Sequence, residues 1–204
     1  VSQRQAKRVR YYYVPKRKVV VCTTQRAASA SMAEGLAPAS MRSEVIGQNR
    51  VIRLKGEGAK VLLWIRDPLD RIACGHPIFS GRLPNPRSVD DYAQMILSET
   101  NPHWSPQTSL HRVARHGFLP THIYPFESLK ESWPLELGYK YPLPHVGKQP
   151  GRTTWGELED EMDPKWVLKI ISHWRNDMAM HAIALGSWES RRLPEEIQNV
   201  EVAA

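Results

Sequence analysis

The sequence predicts an α/β domain of three layers, with helices on both faces of a central, mainly parallel sheet. Three observations lead there. Lys18–Thr23 and Lys60–Ile65 are short, continuous apolar runs, the pattern of strands covered on both faces. Segments of helical periodicity alternate with these runs along the chain. The chain has 204 residues, 41% of them hydrophobic, which suits one folded domain.

The elements follow in order. Residues 1–17 read as a basic arm, and residues 18–204 as the domain. Lys18–Thr23 is the first strand. A small, polar stretch, Thr24–Ser29, leads into a helix over Ala30–Ala37 that Pro38 stops. Val51–Leu54 is expected as a second strand, and Gly56-Glu57-Gly58 as the turn before the third, Lys60–Ile65. Ser88 caps a helix with Asp90 and Asp91 in its first turn and Val89, Tyr92, Ala93, Ile96 and Leu97 on its apolar face. His122–Phe126 is the fourth strand. Residues 138–156, rich in Pro, Gly and basic groups, read as an ordered loop. Asp163-Pro164 starts a long helix with Trp166, Val167, Ile170, Ile171, Trp174 and Met178 inward and Gly186 just past its end.

Charge and cysteine count narrow the function classes. There are 28 Lys and Arg against 21 Asp and Glu, a formal charge of +7. Arg4, Lys7, Arg8, Arg10, Lys16, Arg17 and Lys18 account for the whole excess, because residues 19–204 then hold 21 bases and 21 acids. A near-neutral domain with a basic arm weakens any argument for nucleic-acid binding from overall charge. No stretch approaches the ~20 apolar residues of a membrane span, and no signal-peptide pattern is present. A soluble, cytoplasmic chain is therefore expected, with an anchor ahead of Val1 left open. Cys22 and Cys74, far apart, argue against zinc and against a disulfide framework.

Two segments carry chemistry. The strand–loop–helix at Val19–Leu36 presents free backbone N–H groups and the positive end of a helix dipole, which suits a phosphate. Arg26 adds fixed charge, Ser29 and Ser31 add hydroxyl donors, and Ala27, Ala28 and Ala30 keep the backbone approachable. The Gly-Lys-Ser/Thr of a Walker loop is absent, which argues against ATP hydrolysis. Taken alone, the segment reads better as an ordinary Ser-capped helix after a strand. In the second, Arg66 leaves the end of a buried strand ahead of Asp67-Pro68 and can offer a bidentate guanidinium at the same sheet edge. A surface ion pair, Arg66–Asp67 or Asp70–Arg71, is the competing reading.

Together these segments resemble the sulfotransferases that use the donor PAPS (3′-phosphoadenosine-5′-phosphosulfate), a P-loop NTPase-like fold. Their first strand leads into a loop, Pro-Lys-x-Gly-Thr-Thr or Lys-x-Ala-Cys-Ser-Asn, that grips the 5′-phosphosulfate; a later strand ends in Arg-Asp-Pro-x-x-Arg-x-x-Ser, which holds the 3′-phosphate. Arg26 falls at the family's Lys, Ser29 at its first Thr or Cys, Arg66 at its 3′-phosphate Arg, and Cys74 at its Ser. Three further stretches resemble the carbohydrate branch: Pro102-His-Trp-Ser-Pro-Gln107, Ile123-Tyr-Pro-Phe-Glu-Ser-Leu129, and Pro144-His-Val-Gly-Lys148 with Arg152. The resemblance implies that residues 26–31, Arg66, Cys74, Lys148 and Arg152 bind PAPS, with PAP as product and no metal. Three departures stand out. Arg26 replaces a compact ammonium, Cys74 is a weaker hydrogen-bond partner than Ser, and the loop has no Gly.

The resemblance also implies in-line transfer to a hydroxyl acceptor, a carbohydrate, with one group taking the acceptor's proton. Glu34 is the first candidate, because Arg26, Ser29 and Glu34 reproduce the spacing of the heparan-type enzymes. His103 is the second and His76 the third. His111, His116, His122, His173 and His181 have no supporting context. Two other readings stay open: a non-catalytic module of the same fold, and another nucleotide-dependent transferase. The basic arm is expected to enter the first strand at its amino end. That places Lys16–Lys18 roughly 20 Å from the loop, free to meet an anionic surface, a glycan or a partner protein. Oligomeric state is not legible.

Overall fold

The computed structural model describes residues 9–24, 29–37, 43–76, 88–99, 101, 103–138 and 153–192. Its elements, in chain order, begin with β1 (Arg10–Val14), β2 (Val19–Thr23), α1 (Ser29–Leu36), β3 (Glu44–Ile46) and α2 (Gln48–Gly56). Next come β4 (Lys60–Ile65), α3 (Pro68–Ala73), α4 (Val89–Ser98), α5 (Gln107–Leu110), β5 (Arg112–Val113) and β6 (Gly117–Phe118). The last are β7 (His122–Pro125), α6 (Leu129–Leu137), α7 (Trp155–Glu161) and α8 (Pro164–Arg192). Short 3-10 turns cover Pro15–Arg17 and Phe126–Ser128.

The expected α/β architecture is present, with a mixed rather than mainly parallel sheet. Five strands run in the order β3-β1-β2-β4-β7. β2, β4 and β7 pair in parallel, whereas β1 pairs antiparallel with both β2 and β3. Side-chain alternation divides the core between two faces. Tyr12, Val14, Val19, Val21, Leu62, Trp64 and Tyr124 point to one face, against Met32 and Leu36 of α1 and Leu129, Trp133 and Leu137 of α6. Tyr11, Val20, Cys22, Val61 and Leu63 point to the other, against Val51 and Leu54 of α2 and Leu119. Cover on both faces explains why β2 and β4 are continuous apolar runs. A third cluster is helical: Ile72 and Ala73, Tyr92 and Ile96, Trp104, Leu158, and Ile170 and Trp174.

Four expectations are corrected. The basic arm is not an arm from residue 10 onward, because Tyr11, Tyr12 and Val14 are buried in β1. β1 turns through Pro15–Arg17 and Lys18, whose positive φ of 51° closes the hairpin. The seven bases are thereby split. Lys16–Lys18 sit at the turn, while Arg10 lies level with Thr23, at the carboxyl end of β2. Val51–Leu54 is helix, not strand: Val51 and Leu54 are buried three apart, and Arg50 and Arg53 face out. The long helix does not stop at Gly186 but runs to Arg192, because Trp188 packs edge-on against Tyr124, ring centroids 5.9 Å apart. Within 138–156, Thr154 already caps α7 through a reciprocal bond with Glu157. The turn before β4 is as expected, with Gly58 at φ 85°.

Candidate anion site

The carboxyl ends of β2, β4 and β7 form one edge, where ligands of open α/β sheets bind. β4 and β7 end level, Ile65 opposite Pro125, so Arg66 and Phe126 leave the sheet side by side. Asp67 then turns the chain: its carboxylate accepts from the N–H groups of Leu69 (2.8 Å) and Asp70 (3.1 Å), and Pro68 opens α3. That short helix, of nearly two turns, brings Asp70 and Cys74 back over Arg66. Arg66 Nη2 lies 3.0 Å from Asp70 Oδ2 and 3.0 Å from Cys74 Sγ, and its guanidinium sits 5.2 Å above the Phe126 ring. Arg66 is 8% exposed. The two residues assigned to one phosphate by resemblance are thus in contact.

The segment around His103 is tied to the same place. Gln107 donates from Nε2 to the Arg66 carbonyl at 3.0 Å. Asp177 of α8, fully buried, accepts from the N–H of Gln107 (2.5 Å), the N–H of Thr108 (2.9 Å) and the Thr108 hydroxyl (2.6 Å). Arg71 donates to the Ser105 carbonyl at 2.6 Å and lies 3.9 Å from Asp177. Burial pushes the Arg71 guanidinium down to about 10, against the pull of Asp177, so it stays charged at neutral pH. His103 is half-buried beside the buried Trp104, and its N–H donates to Asn101 Oδ1 at 3.0 Å.

The β2 side is described up to Thr24. Arg26, Ala27 and Ala28 lie outside the described residues, as do Lys148 and Arg152. Ser29 opens α1, Ala30 is exposed, and Ser31 is buried; Glu34 is exposed on the same helix. Thr24 is buried, with its hydroxyl 2.9 Å from His111 Nε2. His111 is itself wholly buried, and burial, then the charge of Arg71, push it down to about 3, so the imidazole is neutral. His76 is held lower than usual by burial, against the pull of Glu161, and its ring meets Tyr92 edge-on at 5.0 Å.

Several residues at this edge carry no motif. Asp177 had one legible signal, a charge between Trp174 and Met178 on the inward stripe of a helix. His181 stands one turn further on. Its Nε2 lies 3.0 Å from Oε2 of Glu127, which follows Phe126. Glu127 feels opposing effects: burial raises it, but the His181 hydrogen bond, its own backbone N–H and the charges of His181 and Arg66 leave it below the usual carboxylate range. His181 is raised, first by the hydrogen bond to Glu127, against burial, and then by the charges of Glu127, Asp67 and Asp70.

Among the described residues, no group of three or more His, Cys, Asp or Glu could hold a metal, and no helix is long and apolar enough to cross a membrane. Among the described residues, the arrangement places a guanidinium and a buried polar cluster at this edge, where an anion can be bound. No family model, curated protein or solved structure matches the chain.

Proposed function

We propose that the chain is a PAPS-dependent sulfotransferase acting on a hydroxyl acceptor, a carbohydrate. The observation that supports this reading most is Arg66 at the end of parallel strand β4, with Cys74 Sγ 3.0 Å from its Nη2. These are the positions that the resemblance assigns to one phosphate. The donor set fits: a phosphate oxygen can replace Asp70 as the acceptor on Nη2, and Arg is suited to paired contacts with phosphate.

When bound, PAPS supplies the sulfuryl group, which gains a bond to the acceptor oxygen as its bond to the phosphate oxygen breaks. Arg66, supported from below by Phe126, holds the 3′-phosphate. Gln107 anchors the Arg66 backbone, and the Arg71–Asp177 pair anchors the segment that carries Gln107. Arg26, Lys148 and Arg152 neutralise the phosphosulfate. Glu34 or His103 takes the proton that the hydroxyl loses. The protein positions and neutralises, as in phosphoryl transfer.

Thermal unfolding with added PAP tests the reading. A ligand at about a hundred times its Kd stabilises by about 2.7 kcal/mol. Wild type should melt higher with PAP, and Arg66→Ala should lose that shift. Glu34→Gln should keep the shift and lose turnover; normal turnover would move the base to His103. No shift with PAP favours a non-catalytic module, and a shift with ATP alone favours another nucleotide-dependent transferase.

A further inference from the structure

Two cations at the carboxyl edge share one set of carboxylates. Arg66 bonds Asp70, and His181 feels Asp70 through space. His181 bonds Glu127, and Glu127 feels Arg66. Three elements meet there: the turn into α3 with Asp67 and Asp70, the Phe126–Ser128 turn with Glu127, and α8 with His181. Asp177, one turn back on α8, is occupied by Gln107, Thr108 and Arg71. Among the described residues, the charged groups around His181 are therefore Glu127, Asp67 and Asp70, with Arg66 beyond Glu127.

We propose that His181 is a second cation of the phosphate site at Arg66, held in place by Glu127, and that the site takes a phosphate monoester dianion. The phosphate at Arg66 rests on the sulfotransferase reading; the placement of His181 beside Arg66, through Glu127 and Phe126, does not. With His181 protonated, two cations face three carboxylates. With it neutral, one cation faces three. A dianion that displaces Asp70 from Arg66 meets less repulsion in the first case. The side chain of His181 is 12% exposed and that of Glu127 is 51% exposed, so the pair lies at the boundary between core and solvent, where a ligand can reach it.

The sequence offered no context for His181. Its role arises because Glu127 follows Phe126, whose ring lies under Arg66. Loss of the pair would free both the charge and the corner that carries this ring.

The test is PAP affinity against pH, by calorimetry, for wild type, His181→Gln and Glu127→Gln. The ligand's own second ionisation, near pH 6, is common to all three and cancels in ratios. The ratio of Kd values, His181→Gln over wild type, should be about tenfold at low pH. It should fall towards one as pH rises through the His181 titration. In Glu127→Gln that step should move to lower pH. A ratio that is unity throughout, or raised but flat with pH, overturns the proposal, because a purely structural role gives no step. Glutamine at 181 retains an N–H donor towards Glu127. If wild type binds no PAP, the sulfotransferase reading fails and inorganic phosphate becomes the probe. Phosphate that raises the His181 titration midpoint, followed by NMR of its ring, then supports the second-cation role. An unmoved midpoint overturns it.

Discussion

His111 has no exposed surface, and the only hydrogen-bond partner of its ring among the described residues is the Thr24 hydroxyl. Its pKa, pushed down to about 3, lies far below the ~6.5 of an unfolded histidine. Between those values the unfolded chain binds the extra proton, so folding loses stability as pH falls from about 6.5 towards 3. The slope is about 1.4 kcal/mol per pH unit while His111 dominates. The lowered carboxylates Glu127 and Glu136 act only below their unfolded value of about 4.3. His181, raised, is fully protonated in both states well below 6.5, so its contribution is lost on the alkaline side instead. Below about pH 5.5 the slope therefore belongs to His111, with a smaller effect of the same sign from His76; nearer 6.5 the opposite effect of His181 is common to both chains and cancels in their difference. Urea unfolding at pH 6.5 and 5.5 should show wild type losing about 1 kcal/mol. His111→Gln should lose much less. An equal loss in both chains would mean that the imidazole is not buried neutral. Residue by residue, Arg66 and Cys74 were legible because they sit in a motif. Asp177, His111 and His181 were not, because their partners lie 54 to 87 positions away in the chain.

At the scale of elements, β2, β4, α4 and the start of α8 were legible in the sequence, because both their apolar pattern and their end signals agree. Where only one signal exists, the structure departs. Val51–Leu54 is four residues long, too short for periodicity to separate strand from helix, and burial of Val51 with Leu54 decides it. Gly186 looks like a helix terminator, yet α8 continues because Trp188 has somewhere to pack. Gly186 thus occupies an exposed helix interior, and a Cβ there would meet nothing within 4 Å. Glycine in that setting costs about 0.5–1 kcal/mol relative to alanine. Gly186→Ala should raise the melting temperature by about 1–4 °C, read by thermal circular dichroism. A lower melting temperature would mean that α8 needs flexibility at this position, and the continuous helix would be the wrong description.

For the whole molecule, the three-layer plan was legible from two buried strands, but the sheet's composition was not. Tyr11-Tyr12-Tyr13-Val14 favours a strand and Pro15 a turn, but the seven basic residues around them give the segment the character of an arm. Hairpin register resolves the matter: β1 joins β2 to β3 and covers what would otherwise be the exposed edge of β2. A free basic arm would be dispensable for PAP affinity. Two truncations now separate the arm from the strand. Removing residues 1–8 leaves every described element in place and should shift the melting temperature by no more than a few degrees. Removing residues 1–15 takes away Tyr11, Tyr12 and Val14, each buried. At about 1.5–3 kcal/mol for each side chain, roughly 5–9 kcal/mol is lost. Domains of this kind hold only about 5–15 kcal/mol in total. Thr23 also loses its bond to the Arg10 carbonyl, 3.0 Å, at the mouth of the loop. The longer truncation should therefore show no cooperative melt and bind no PAP. A cooperative melt near that of the full chain would show that β1 is dispensable and that the arm extends to residue 15 after all.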